Sequence, residues 1–151
     1  MGTPQYMSPE SIRDPDHVDH RADVYGADIY ALGAVGYYLL TGHQVFEANT
    51  IIQICSQHLS ATPMSLAQRP GRPVPSDLEA IILACLATSP DERPQTALAL
   101  QQRLLGCEDA TQWTPHQAGE WWDEYGAALK TESEVSPMDS RFTIQVESAR
   151  V

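Results

Sequence analysis

The stretch from residue 22 to residue 42, ADVYGADIYALGAVGYYLLTG, restricts the folds open to this chain, because its second half, Ile29 to Leu40, is almost wholly apolar. Its residues at helical spacing are Ile29, Leu32, Val35, Gly36, Leu39 and Leu40. Thr41-Gly42 predicts the helix end, because glycine adopts the left-handed cap without a Cβ penalty. The apolar run from Ile29 to Leu40 is shorter than the roughly 20 apolar residues that span a bilayer. A helix that is apolar all round is normally buried, so we predict the central buried helix of a mainly α domain.

The charge of the chain restricts its partners. The net charge is −11, from 20 acidic and 9 basic residues. Nucleic acids and anionic membrane surfaces select clustered Lys and Arg, so this balance argues against both. The chain has three cysteines, Cys55, Cys85 and Cys107, which are odd in number and widely spaced. This pattern favours buried thiols in a reducing compartment over disulfides or a metal site. No basic and apolar leader opens the sequence. We therefore expect a cytoplasmic protein.

The histidines do not predict a metal site. His17 and His20 lie in an acidic stretch that lacks the ligand and glycine spacing of a calcium loop. A solvated connecting loop is the favoured interpretation there. His58 shares a helix face with apolar residues, and we expect it at the helix surface or the core edge rather than as a ligand.

The first ten residues, MGTPQYMSPE, are typical of a loop that leads into a short helix. Glycine and proline interrupt regular structure at this end of the chain. Ser8 is suited to cap a helix that has Pro9 at its first position and Glu10 in its first turn.

Three segments resemble motifs of one family, the bacterial Ser/Thr protein kinases of eukaryotic type. Residues 2–10, GTPQYMSPE, are similar to the end of the kinase activation segment, with Ser-Pro-Glu in place of the usual Ala-Pro-Glu. Residues 28–33, DIYALG, resemble the start of the family's central helix. Residues 90–94, PDERP, resemble the loop that carries its late arginine. The resemblance covers roughly residues 2–105 and implies the lower part of the large, helical lobe only.

The resemblance also implies a substrate-binding loop. Residues Gly2, Thr3, Pro4 and Tyr6 would form the wall that receives a protein substrate beside its phosphoacceptor residue. In the family, the threonine of this loop also bonds to the catalytic aspartate and lysine, which favours a Ser or Thr substrate.

Two structural roles follow from the same resemblance. Glu10 would form an ion pair with Arg93, whose planar fork suits bidentate binding of a carboxylate. An aspartate at the start of the central helix would anchor the backbone of the catalytic loop. The unit Ala-Asp-aliphatic-Tyr occurs twice, so Asp28 and Asp23 are both candidates. Because five residues turn a helix by about 500°, the two cannot face one partner, and we favour Asp28, which the apolar pattern follows directly.

Further helices are predicted from caps and apolar spacing. Asn49 is predicted to cap an amphipathic helix that begins at Ile51. The sequence Ser76-Asp77-Leu78-Glu79 predicts a capping box for the next helix. A last lobe helix follows Pro94 and ends at Gly106.

The chain is expected to have three parts. Residues 1–106 would form a partial kinase domain, residues 107–130 a Trp-rich helical extension, and residues 131–151 a flexible, disordered tail. In the extension, residues 114–117, TPHQ, predict a capped helix start. An aromatic stripe follows, formed by Ala118, Trp121, Trp122, Tyr125 and Leu129. We expect this stripe to pack on the lobe, and a partner-binding helix is the alternative.

The sequence lacks the motifs by which kinases bind ATP and transfer phosphate. The family needs a Gly-rich loop, a paired lysine, and the His-Arg-Asp and Asp-Phe-Gly motifs, with ATP and Mg²⁺ as cofactors. None of these motifs is present, and the only lysine is Lys130. We therefore expect a truncated kinase fragment that has no catalytic residue, cofactor or metal of its own and is inactive alone. The alternative is a noncatalytic helical module that binds a protein, or one half of a split kinase.

The expected partners are a protein substrate or the missing kinase half, with no nucleic acid and no membrane segment. Apolar helix surface left uncovered by the missing half would also promote self-association. The kinase interpretation further predicts that Leu32 and Leu39 of the central helix are shielded from water.

Overall fold

The computed structural model describes residues 3–14, 21–71, 73–110 and 113–135, with the side chains of residues 21–25 and 128–135 left aside. The helices are α1 (Pro9–Arg13), α2 (Arg21–Thr41), α3 (Ile51–Ser60), α4 (Ser76–Cys85), α5 (Ala97–Leu105) and α6 (Pro115–Val135). Short 3₁₀ turns form at Pro4–Tyr6, Leu66–Gln68 and Pro90–Glu92. These described ranges contain no β-strand, so the predicted mainly α fold is confirmed.

Helix α2 contributes one of its faces to the core. Tyr30, Ala34 and Tyr37 are fully buried on this face. The remaining members of this main core cluster are Val45, Phe46, Leu66, Ile82 and Leu86. The helix ends as predicted, since Gly42 has a φ of 73° and donates its N–H to the carbonyl of Tyr38 at 2.7 Å. Helix α2 therefore organises the domain, as the sequence predicts.

The prediction that α2 is buried all round is wrong. Leu32 is 52% exposed and Leu39 is 75% exposed, and Val35 between them is 42% exposed. Two tyrosines occupy the core instead, because each hydroxyl finds a hydrogen-bond partner inside the fold. Tyr30 bonds to His58, and the Tyr37 hydroxyl donates to the carbonyl of Met64 at 3.1 Å. The aliphatic stripe thus lies on the side of α2 that faces away from the main core.

Glycines let α2 and α4 approach each other closely. A Cβ atom added at Gly33 would lie 2.7 Å from the Cβ of Cys85, and one added at Gly36 would lie 2.7 Å from the Cδ1 of Ile82. Both distances are shorter than van der Waals contact allows. Glycine at position 33 is therefore a packing requirement of the α2–α4 interface, whereas a Cβ at position 36 would meet only the mobile end of the Ile82 side chain. Cys85 is buried at this interface, as predicted, but Cys55 and Cys107 are only half-buried.

The caps of α1 and α3 agree only in part with the predicted caps. The Ser8 hydroxyl accepts a hydrogen bond from the backbone N–H of Ser11 at 3.3 Å, which confirms the predicted start of α1. The cap of α3 is not Asn49 but the next residue, Thr50. The Thr50 hydroxyl accepts a hydrogen bond from the backbone N–H of Gln53, which is the usual N-cap interaction of a threonine.

The predicted capping box of α4 is wrong. Pro75 occupies the N-cap position, and no side chain caps the helix there. The Glu79 carboxylate instead accepts hydrogen bonds from the Ser65 hydroxyl at 2.5 Å and the Leu66 N–H at 2.8 Å. These donors belong to a turn that the tertiary fold brings to α4. Glu79 therefore fastens the preceding loop to the helix rather than closing the helix end.

Helix α6 begins as predicted, because Thr114 and Gln117 exchange capping hydrogen bonds. Its aromatic residues do not match the favoured prediction of packing on the lobe. Trp122 is 60% exposed, Tyr125 is 45% exposed and Trp121 is 38% exposed. The helix continues to Val135, beyond the predicted boundary, and residues 136–151 of the predicted tail lie outside the described residues. Among the described helices, none combines the length and apolarity of a membrane span.

Candidate functional site

The predicted substrate loop forms a compact turn beside the helical base. The carbonyl of Thr3 accepts the N–H of Tyr6 at 3.0 Å, which closes the Pro4–Tyr6 turn. Pro4 is buried and Thr3 is exposed. The Gln44 side-chain amide donates to the Tyr6 hydroxyl at 3.4 Å. The turn thus presents Thr3 to solvent from a fixed base, and Gly2 lies outside the described residues.

Glu10 and Arg93 meet in a bidentate ion pair. Nη1 of Arg93 donates to Oε1 of Glu10 at 2.7 Å, and Nη2 donates to Oε2 at 2.7 Å. The guanidinium side chain is 0% exposed and the carboxylate side chain is 20% exposed. This pair joins the start of α1 to the turn after α4, although 83 residues separate the two partners.

The remaining donors of Arg93 are also used. Its Nε donates to the carbonyl of Ala87 at 2.8 Å, its Nη1 to the carbonyl of Gly26 at 2.8 Å, and its Nη2 to the carbonyl of Thr88 at 3.3 Å. Together with the two bonds to Glu10, these contacts engage all five guanidinium N–H groups. Arg93 therefore connects the α4–α5 loop, α1 and α2 through one side chain.

The electrostatics of the pair favour the ionised carboxylate. Burial acts to raise the pKa of Glu10, but the hydrogen bond from Arg93, a backbone N–H and the positive guanidinium together hold the pKa below its ordinary value. Glu10 is therefore ionised at neutral pH. An arginine remains charged throughout this range.

A buried aromatic chain continues from the ion pair into the core. The guanidinium carbon of Arg93 lies 4.9 Å from the centre of the Tyr30 ring, a cation–π contact. The Tyr30 hydroxyl is 2.7 Å from Nδ1 of His58, whose ring meets Phe46 edge-on at 5.0 Å. Burial lowers the pKa of His58 to about 4, so its imidazole is neutral at pH 7.

His58 lies deeper than the predicted core edge, since it is only 1% exposed. Its Nε2 has no hydrogen-bond partner within the described part of the chain. The sequence did contain a signal for this burial, because His58 follows Ile51 and Cys55 on one face of α3. Sequence reasoning missed Tyr30 as its partner, since 28 residues separate the two side chains.

Asp28 lies at an apolar groove between α2 and α5. The groove has a volume of about 490 Å³. It is lined by Asp28, Ile29, Leu32, Ala97, Leu100, Gln101, Leu104 and Leu105. Asp28 is exposed, and the side chain of the alternative, Asp23, lies outside the described part of the chain. The anchor role of Asp28 stays a prediction.

The lining of the groove does not provide the ligands of a Mg²⁺ site. Mg²⁺ requires several oxygen ligands in octahedral geometry, usually carboxylates together with phosphates and water. The lining supplies one carboxylate, one amide and otherwise aliphatic side chains. Within the described ranges, no group of three or more His, Cys, Asp or Glu side chains is placed to hold a metal ion.

Comparison with known proteins assigns the family. The sequence profile of the protein kinase domain matches residues 1–105. This chain belongs to the protein kinase domain family. The match ends at the last residue of α5, so it includes the Pro4–Tyr6 turn, the Glu10–Arg93 ion pair and the groove, whereas α6 follows it.

Curated relatives identify the kind of kinase domain. The chain is 38% identical over 105 residues to the serine/threonine-protein kinase PknB of Mycobacterium leprae, a match that covers 70% of this chain and 16% of that protein. It is 36% identical over 104 residues to the serine/threonine-protein kinase pkn3 of Myxococcus xanthus, covering 68% of this chain and 18% of that one. The predicted resemblance to bacterial Ser/Thr kinases is thus confirmed. The chain spans less than a fifth of the length of these relatives.

Proposed function

We propose that this chain is the substrate-side part of a Ser/Thr protein kinase, whose complete form transfers phosphate from ATP to protein Ser or Thr residues. Residues 1–106 form the partial kinase domain, followed by a helical extension and a tail. Residues Gly2, Thr3, Pro4 and Tyr6 receive the protein substrate. The bidentate pair between Glu10 and Arg93 supports this proposal most directly, because it fixes the substrate loop to the helical base.

The chain alone is proposed to be inactive. Phosphoryl transfer depends on positioning the nucleotide and Mg²⁺ and on stabilising the developing charge. The sequence contains no Gly-rich nucleotide loop, no His-Arg-Asp motif and no Asp-Phe-Gly motif. The groove beside Asp28 offers no suitable set of ligands in their place. The acidic composition and the free cysteines support a cytoplasmic setting.

Purified alone, the 151-residue chain is expected to bind no ATP–Mg²⁺ and to phosphorylate no protein. Isothermal titration calorimetry measures the first property, and a radiolabelled ATP assay with a generic basic substrate protein measures the second. An intact bacterial Ser/Thr kinase provides the positive control. Micromolar nucleotide binding by the chain would overturn the proposal of an inactive part.

A second function has its own support: a noncatalytic module that binds a protein, such as the other half of a split kinase. The observation in its favour is the exposed apolar surface of α2. Leu32, Val35 and Leu39 lie on this surface, and Leu105 of α5, which is 67% exposed, borders the adjoining groove. Contiguous apolar surface of this kind marks an interaction site or promotes association.

The double variant Leu32→Glu/Leu39→Glu is expected to reduce self-association and to remove most binding of a hydrophobic dye. Charged side chains on the α2 surface would oppose its burial against another molecule. Light scattering with size-exclusion chromatography measures the first effect, and dye fluorescence measures the second. The control is Ile52→Glu, because Ile52 is 82% exposed but lies on α3 and not on the apolar surface of α2. A wild-type chain that is a compact monomer and does not bind the dye would contradict the uncovered apolar surface, whereas a stable monomer that selectively binds another protein would support this second function.

A further inference from the structure

Helix α6 presents a cluster of exposed aromatic rings that the kinase role does not use. The ring centres of Trp121 and Trp122 lie 5.2 Å apart with an interplanar angle of 83°. Those of Trp121 and Tyr125 lie 5.5 Å apart. All three side chains are exposed to solvent by more than a third of their surface. We call these three residues the aromatic face of α6.

The aromatic face lies in a strongly acidic part of the chain. Between Arg103 and Lys130 the sequence contains no lysine and no arginine. It contains five carboxylates in the same interval: Glu108, Asp109, Glu120, Asp123 and Glu124. Because residues four apart in a helix lie on one side, Glu120 and Glu124 flank the edge of the face formed by Trp121 and Tyr125.

Exposed aromatic rings next to carboxylates favour some binding partners over others. Nucleic acids and anionic membranes are repelled by an acidic segment. The α6 segment of a second copy carries the same carboxylates and is therefore disfavoured as a partner for this face, whatever contacts α2 makes. A cationic side chain is attracted twice, by the faces of the indole and phenol rings and by the neighbouring carboxylates.

We propose that the aromatic face of α6 binds a basic segment of a partner protein. Arginine or lysine side chains of that segment stack on Trp121, Trp122 and Tyr125. Their charged groups pair with the carboxylates of Glu120 and Glu124. Arginine is the better ligand of the two, since its planar guanidinium stacks on aromatic rings and pairs with carboxylates at the same time. This interaction is independent of phosphoryl transfer.

A glycine positions one ring of the face. A Cβ atom added at Gly126 would lie 2.9 Å from Cε3 of Trp122, so the indole rests against the helix backbone at this point. Gly119 in the same helix has no atom within 4 Å of an added Cβ. The two glycines therefore form a matched pair, because alanine at Gly126 must displace the indole whereas alanine at Gly119 leaves it in place. Both substitutions favour the helix itself.

The test is fluorescence anisotropy of a labelled dodecapeptide of alternating Arg and Ala, titrated with the full chain at an ionic strength of about 0.15 M. Saturable binding to the wild type is expected, and none to a peptide with Gln in place of Arg. Trp122→Ala is expected to weaken binding by about two- to fivefold, in line with one cation–π contact at an exposed site. Gly126→Ala weakens it as well, whereas Gly119→Ala does not.

Charge controls separate the proposed site from general attraction to an acidic protein. The double variant Glu120→Gln/Glu124→Gln removes two charges beside the aromatic face and is expected to weaken binding several-fold. Asp91→Asn/Glu92→Gln removes two exposed charges from the turn before Arg93. This variant should bind the Arg peptide with unchanged affinity. Equal loss in both double variants would overturn the proposal, as would equal binding of the Gln peptide or no binding of the Arg peptide. A change in oligomeric state with Trp122→Ala, without a change in peptide affinity, would assign the face to a second copy instead.

Discussion

Replacement of Arg93 by methionine is expected to lower the free energy of unfolding by about 3–5 kcal/mol, the usual effect of removing one partner of a buried ion pair. Arg93 is 3% exposed, and its loss leaves the Glu10 carboxylate and three backbone carbonyls without their donor. Methionine fills part of the volume but donates no hydrogen bond. The predicted loss therefore comes mainly from unpaired polar groups.

Urea unfolding followed by circular dichroism measures this effect. Arg103→Met is the matched control, because Arg103 is exposed on α5 and its replacement should change stability by no more than about 0.5 kcal/mol. The double variant Glu10→Gln/Arg93→Met should be less destabilised than the sum of its single variants, since the orphaned charge is removed. A loss below about 1 kcal/mol in Arg93→Met would show that the pair does not hold the substrate loop to the helical base.

Stability is expected to fall as the pH is lowered from about 6.5 to about 4, because of His58. Its folded pKa is about 4, against about 6.5 for an unperturbed histidine. In this window the unfolded chain binds a proton that the folded chain excludes, so the free energy of unfolding decreases as the pH falls. The difference in pKa corresponds to a total loss of about 3 kcal/mol. Glu10 adds a loss of the same sign at more acidic pH, as its lowered folded pKa is approached.

Urea unfolding at a series of pH values measures this dependence. His58→Gln should flatten the slope between pH 6.5 and 5, because glutamine does not titrate, whatever the absolute stability of the variant. His116→Gln makes the same substitution at an exposed position on α6 and serves as the comparison outside the core. An identical slope in wild type and His58→Gln would mean that the buried imidazole is not the group that excludes the proton.

The helices were predictable because their signals are local. The Pro9 start of α1, the Gly42 end of α2 and the Thr114 cap of α6 each depend on residues a few positions apart. Hydrogen bonds that close a helix end need no information from the rest of the fold. The mainly α architecture therefore followed from spacing and caps, and the family followed from three short motifs.

The buried side of α2 was not predictable from its own residues. Both sides of the helix are apolar, so periodicity gave no reason to prefer Tyr30 over Leu32 for the core. The choice depends on His58 and on the loop around Met64, which provide polar partners for the tyrosine hydroxyls. Such partners come from distant parts of the sequence, and their positions exist only after folding.

The hydrogen-bond partners of Glu79 could not be predicted from its neighbours in the sequence either. Its place three residues after Ser76 matched a capping box, but the turn at residues 65–67 supplies the donors for its carboxylate. Arg93 shows the opposite case, since a family motif proposed its partner and the coordinates place the two carboxylate oxygens against its guanidinium. From sequence came the helices, their ends and the kinase relationship, because these depend on near neighbours along the chain. Which apolar face is covered, and which polar groups share a buried hydrogen bond, came from the folded structure, because those contacts join segments far apart in the chain.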